Sequence, residues 1–131
     1  MKVLIFGANG MLGHQLCRLL IDRMEVYGTV RQASKNFNYL PTKRTIQGVN
    51  IEETQKVAEV LNHVKPEAIV NAVGIVKQRD EAKQAVPSIQ VNALFPHQLA
   101  DLCEERGIRV LQISTDCVFS GFKGNYTELD V

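Results

Sequence analysis

The residues with the plainest chemical meaning come early in the chain. Gly7-Ala8-Asn9-Gly10-Met11-Leu12-Gly13 is a Gly-x-x-Gly-x-x-Gly run that directly follows the apolar segment Lys2–Phe6 and opens a helical pattern. In that context the spacing is a dinucleotide fingerprint. Gly7 permits a tight turn, Gly10 lets a pyrophosphate approach the backbone, and Gly13 lets helix and strand pack closely. The free amides at the helix start, those of Met11 and Leu12, would face the anion. The plain alternative, a glycine-rich turn with no ligand, is disfavoured by the uninterrupted apolar strand in front of it.

A second position bears on which dinucleotide would bind. A carboxylate at the end of the second strand accepts the adenosine ribose hydroxyls and repels a 2′-phosphate, selecting NAD. Here Val26-Tyr27-Gly28-Thr29-Val30 is followed by Arg31, whose guanidinium can pair with that phosphate through charged hydrogen bonds. Asn9, inside the glycine loop, is a second donor to the same group. NADP is favoured, and NAD is the alternative if Arg31 is only a solvated cation or stacks on adenine. His14 reads as a solvated helix position. His63 and His97 fall on separate helices without partners at metal-ligand spacing, so no metal site is expected.

The elements that must hold these residues follow from periodicity. Short apolar, β-branched runs at Lys2–Phe6, Glu25–Val30, Thr45–Gly48, Ala68–Asn71 and Arg109–Ile113 predict strands. Helical stripes lie between most of them: Leu12, Leu16, Leu19 and Leu20; Val57, Val60 and Leu61; and Val91, Leu94, Leu99 and Leu102, the last with Pro87 and Ser88 as start signals. Lys65-Pro66 and Arg106-Gly107 supply stops for two of these helices. Alternating strands and helices imply right-handed crossovers and a parallel sheet, a Rossmann-type doubly wound α/β fold with five strands. Gln32–Arg44 reads as a loop with at most a short helix, and Ser120–Val131 as a polar loop leading onward.

Composition narrows the class. The chain has 131 residues, 45% apolar and 22% charged, which suits one globular domain. A formal charge of +1 gives no broad field for nucleic acid or an anionic membrane. Glycines interrupt the apolar start before it can act as a signal peptide, and no stretch reaches the roughly 20 apolar residues of a membrane span, so a cytoplasmic protein is expected. Cys17, Cys103 and Cys117 are odd in number and widely spaced, which fits buried or incidental thiols better than a disulfide framework.

Four stretches together resemble the extended short-chain dehydrogenase/reductases, and within them the dTDP-4-dehydrorhamnose reductase branch. They are Gly7–Gly13, Asn71-Ala72-Val73-Gly74, Val91-Asn92-Ala93 and Ile113-Ser114-Thr115-Asp116-Cys117-Val118-Phe119. The last is similar to that branch's Ser-Thr-Asp-Tyr-Val-Phe signature and is the most specific. The resemblance implies that Ala72, Val73 and Gly74 line the cofactor ribose and that Asn92 holds that turn through side-chain hydrogen bonds. Asn50, with Ile51 beside it, stands where the family has an adenine-contacting Asp; its amide oxygen can still accept from the adenine amino group.

By the same resemblance Thr115 is the catalytic hydroxyl, bonding the substrate oxygen while a Tyr donates the proton and a Lys lowers that Tyr's pKa. The nicotinamide supplies hydride. Asp116 would fix the turn, and Cys117, which replaces the signature's Tyr, leaves a sugar contact altered. The family's Tyr-x-x-x-Lys is expected beyond the tail, because Tyr126 has Asp130 four residues on. The expected function is NADP-dependent reduction of a 4-keto nucleotide sugar in deoxysugar or surface-polysaccharide synthesis. This chain would be the cofactor-binding N-terminal part of a homodimeric parent, inactive alone, with the substrate-binding part absent. Two alternatives share the fold: a nucleotide-sugar epimerase or dehydratase holding NAD, and a non-catalytic NADP-binding regulatory subunit. Loss of the helix bearing Tyr and Lys would bare Val91, Leu94 or Phe95 on Pro87–Glu105 and invite self-association.

Overall fold

Successive residues of a strand point to opposite faces, and β1 (Lys2–Phe6) is apolar on both. Leu4 and Phe6 enter one buried cluster, Val3 and Ile5 another, so the sheet must be covered on each side. The computed structural model, which describes residues 1–32, 37–76, 83–115 and 119–130, shows how.

The chain runs β1, α1 (Met11–Leu20), β2 (Glu25–Val30), a short 3-10 turn at Thr42–Arg44, β3 (Thr45–Gln47), α2 (Thr54–Val64), β4 (Ala68–Asn71), α3 (Ala85–Ile89), a π-helical turn (Gln90–Leu94), α4 (Phe95–Glu104) and β5 (Arg109–Gln112). The five strands form one sheet in the order β3-β2-β1-β4-β5, every neighbouring pair parallel, with Leu4 between Tyr27 and Ile69. This is the Rossmann strand order. After β3 the chain returns to the other side of β1, so the crevice beyond the ends of β1 and β4 is the topological switch point where such sheets bind ligands.

One core cluster joins Leu4, Phe6 and Ile69 to Val57, Val60 and Leu61 of α2 and to Phe95, Leu99 and Cys103 of α4. The other joins Val3, Ile5, Val26 and Val30 to Cys17 of α1, Ala8 and Leu40. Burial pushes both the Cys17 and the Cys103 thiol up to about 11, because a thiolate would lose its hydration there. Lys65 and Gly107 both adopt left-handed backbone, at φ 51° and 64°, just past α2 and α4, the conformation that closes a helix end. No helix among the described residues is long and apolar enough to cross a membrane.

Three expectations need adjustment. The strands predicted to reach Gly48 and Ile113 stop at Gln47 and Gln112. The helix predicted over Pro87–Glu105 starts at Ala85, ends at Glu104 and contains the π turn. Pro96 accounts for that turn: it has no N–H for the Asn92 carbonyl and its ring crowds that carbonyl, and the backbone widens so that Phe95 N–H reaches Gln90 O. The extra residue rotates the inward stripe from Leu94 to Phe95. Phe95 is therefore buried, at 2% exposure, with its ring edge-on to Phe6 at 5.7 Å, and is not bared as expected. Leu94 is exposed and Val91 half-buried.

Candidate functional site

The glycine loop is built by backbone contact. Gly7 leaves β1 at φ 77°, a region where a Cβ is costly, and a Cβ there would also press on Val73 Cγ2 at 3.1 Å and Ala72 O at 3.2 Å. Gly10 N–H donates to Gly7 O at 2.9 Å, closing the turn, and Ala8 N–H donates to Thr29 O at 3.0 Å, tying the loop to β2. A Cβ on Gly13 would lie 2.1 Å from Gly7 O, so α1 can approach the loop this closely only with glycine there. Helix α1 then begins at Met11, and its first amides have no carbonyl one turn earlier to bond. The cradle that a Cβ would fill, capped by a helix start, fits the pyrophosphate of a dinucleotide.

The neighbouring strand end is held by two asparagines. Asn71 is fully buried; its Nδ2 donates to Gln112 Oε1 at 2.7 Å and its Oδ1 accepts from Val73 N–H at 3.2 Å. Asn92, on the π turn, brackets Ile75: Oδ1 accepts from Ile75 N–H and Nδ2 donates to Ile75 O, both at 2.9 Å. Between these clamps, Ala72 and Val73 are half-buried and Gly74 is exposed. Ala72 N–H also donates to Phe6 O, which fixes this segment beside the glycine loop.

Because all strands are parallel, their carboxyl ends share one edge. Arg31 follows β2 there and is exposed, as is Asn9. Val49 N–H donates to Val30 O at 3.2 Å, which draws the β3 exit against the same place. Asn50 Oδ1 accepts from Glu52 N–H at 3.3 Å, so one of the oxygen's two acceptor sites is in use. Ile51 packs against the core. Thr115 is exposed three residues past β5, where Ile113 N–H donates to Asn71 O. Asp116 and Cys117 lie outside the described residues.

Sequence reasoning missed several contributors. Gly28 on β2 faces Ala8, and a Cβ there would sit 2.6 Å from Ala8 Cβ and 2.9 Å from Leu40 Cδ1; a small residue inside an otherwise β-branched strand was the available signal. His14 is half-buried and not simply solvated: its ring lies 5.2 Å from that of Tyr39. Tyr39 and Lys43 have Tyr-x-x-x-Lys spacing, which the sequence reading passed over. Pro41 lies between them and the 3-10 turn begins at Thr42, so they do not share one helix face as the catalytic pair of such enzymes must. Tyr126 sits in the tail, stacked on Phe119 at 4.5 Å. Its phenol is held below its usual pKa first by the Ser120 hydroxyl, 2.9 Å away, and then by the Lys123 amide.

A groove of about 740 Å³ lies at the opposite edge of the sheet, between Leu61, Lys65, Arg106 and Arg109. It has no part in this constellation. No metal-holding group of His, Cys, Asp and Glu occurs among the described residues.

The family model described as the RmlD substrate binding domain matches residues 1–131, the whole chain. The chain belongs to that family. It is 28% identical to the dTDP-4-dehydrorhamnose reductase of Aggregatibacter actinomycetemcomitans over 131 residues, 99% of this chain and 40% of that protein. A hypothetical dTDP-4-dehydrorhamnose reductase from Sulfolobus tokodaii superposes on the whole chain and 45% of its own, with TM-score 0.81 and 27% identity. The dTDP-4-dehydrorhamnose reductase of Bacillus anthracis, solved in complex with NADP, matches 94% of this chain and 39% of its own, with TM-score 0.72 and 25% identity. The chain thus spans about two fifths of the length of the relatives it matches, and it has their Rossmann-type fold.

Proposed function

We propose that this chain is the cofactor-binding part of an NADP-dependent reductase that acts on a 4-keto nucleotide sugar. The carrying observation is Arg31, exposed at the exit of β2, on a strand whose backbone is tied to the glycine loop at Ala8 and whose end offers no carboxylate. A guanidinium there attracts the 2′-phosphate that a carboxylate would repel.

Each residue then has a task. The loop Gly7–Gly13 receives the pyrophosphate, with the amides of Met11 and Leu12 turned to it, and Asn9 and Arg31 hold the 2′-phosphate. Asn50 accepts from the adenine amino group beside Ile51, and Ala72, Val73 and Gly74 lie along the ribose because they lack bulk. Asn92 keeps that segment in place through Ile75. Bound there, the nicotinamide supplies a hydride to the ketone carbon. Thr115 donates a hydrogen bond to the substrate oxygen; Asp116 and Cys117 are assigned to the substrate side by the resemblance alone, with the signature's Tyr replaced at Cys117.

Among the described residues no tyrosine and lysine share a helix face beside Thr115, so the proton must come from elsewhere in the working enzyme. The 131 residues alone should bind cofactor and reduce no ketone. Titrating NADPH and NADH into the protein tests the reading. NADPH should bind more tightly, and Arg31→Ala should remove the preference by lowering NADPH affinity about tenfold or more, the worth of one charge-assisted pair. Equal affinities untouched by the substitution would remove the basis for NADP, and NAD co-purifying with the protein would favour an epimerase or dehydratase.

A further inference from the structure

We propose that Gln112 is a positioning residue for the dinucleotide: acting through Asn71, it sets the direction of the hydrogen bond that holds Val73. This rests on the place given above to Ala72, Val73 and Gly74.

Two carboxamides in series join the exits of β4 and β5. Gln112 Nε2 donates to Ile113 O at 2.8 Å, Asn71 Nδ2 donates to Gln112 Oε1 at 2.7 Å, and Asn71 Oδ1 accepts from Val73 N–H at 3.2 Å. Both ends of this run are main chain. The Ile113 carbonyl can only accept and the Val73 amide can only donate, so each side-chain amide fits in one orientation. The strand register sets Asn71 beside Gln112, and Ile113 N–H donates to Asn71 O at 3.3 Å, which keeps the two exits level.

The consequence turns on burial. Asn71 is 0% exposed, so its Nδ2 depends on Gln112 for an acceptor, and a buried donor without one is costly. Were the Asn71 amide to turn over, Nδ2 would meet the Val73 N–H, donor against donor, and the bond to Val73 would be lost. Gln112 is exposed and need not touch the dinucleotide. It acts by presenting Oε1, which leaves Asn71 Oδ1 for Val73. A Cβ on Gly7 would lie 3.1 Å from Val73 Cγ2, so the held residue is also the one that borders the glycine loop. NADPH and NADH would both lie along that border, and both should feel its loss alike.

The test titrates NADPH and NADH into the 131-residue protein and follows the NMR resonance of the Val73 amide proton as a local readout. Gln112→Leu fills the space without offering an acceptor. It should weaken both dinucleotides about fivefold, the worth of one neutral hydrogen bond, and move the Val73 resonance. Its melting temperature should fall by no more than about 4 °C, because the side chain is at the surface. Gln112→Glu presents an acceptor to Asn71 whichever way its carboxylate turns. It should bring both affinities to within about twofold of wild type and restore the Val73 resonance; a role in packing alone gives no reason for Glu to succeed where Leu fails. Unchanged affinities in Gln112→Leu would sink the proposal whatever the resonance does, and with wild type still binding, the cofactor reading would stand. Equal losses in the Leu and Glu variants would make Gln112 a packing residue and overturn the proposal too. If wild type bound neither dinucleotide, the cofactor reading would fail and the positioning role with it.

Discussion

The two ends of the sheet are held by different means. Around β1, β2 and the glycine loop, missing Cβ atoms set the contacts: at Gly7 and Gly13 backbone meets backbone, and at Gly28 the strand leaves room for the side chains of Ala8 and Leu40. Around β4, the π turn and β5, amide side chains hold the structure, with Asn71 on Gln112 and Asn92 on Ile75. Apolar side chains there face outward as well: Val86, Ile89, Leu94 and Leu111 are 72%, 60%, 47% and 58% exposed. The glycine-loop end is thus made of rigid main chain, which suits the proposed pyrophosphate, a group whose shape does not vary. The β4–β5 end is held by side chains that substitution can change without unfolding the domain.

Substitutions can break or sharpen this contrast. Phe95 is the point at which the second end is anchored in the core of the first, through Phe6, and Phe95→Ala should cost about 3–5 kcal/mol in a denaturant melt. Gly13→Ala comes next, at about 3 kcal/mol, because its methyl would run into the Gly7 carbonyl and main chain cannot move aside as a side chain can; cofactor titration should show binding lost in parallel. A well-folded Gly13→Ala protein that still bound NADPH would mean that backbone contact does not build the cradle. At the other end, Asn92→Ala should cost only about 1–2 kcal/mol, two exposed neutral hydrogen bonds, yet weaken either dinucleotide by loosening Ala72–Gly74. Smallest of all, Leu111→Lys with Leu94→Ser should change stability by less than about 0.5 kcal/mol while reducing self-association in sedimentation, since exposed apolar surface invites contact. Unchanged sedimentation would show that these side chains are not what brings copies together.

The same contrast decides what could be read from the amino acids. The glycine loop was legible because a positive φ at Gly7 and the close backbone contact at Gly13 exclude other residue types, so the requirement is written as Gly at 7 and 13. Strands β1, β2 and β4 were legible because burial on both faces makes them continuous apolar runs, and their parallel arrangement followed from alternation with helices. The register of Phe95–Glu104 was not legible. A single extra residue in the π turn rotates the helix face by about 100°, so Leu94 of the expected stripe gave way to Phe95, while Leu99 is buried and Leu102 packs against the core beside Cys103. Pro96 caused it, and a proline near a helix start looks the same whether it begins the helix or widens one already begun. The Asn71 to Gln112 pair and the His14 to Tyr39 contact were hidden for another reason: each joins residues from different elements that no local period connects.

Cys17 is on the sheet-facing side of α1 on one face of the sheet and Cys103 on that of α4 on the other. Both are sealed from solvent, and burial favours the protonated thiol, so an alkylating reagent can reach either only when its own helix lifts from the sheet. The molecule thus has a separate chemical clock on each of its layers. Peptide mapping of labelled thiols would time the opening of the α1 layer and the α4 layer independently, with and without bound dinucleotide.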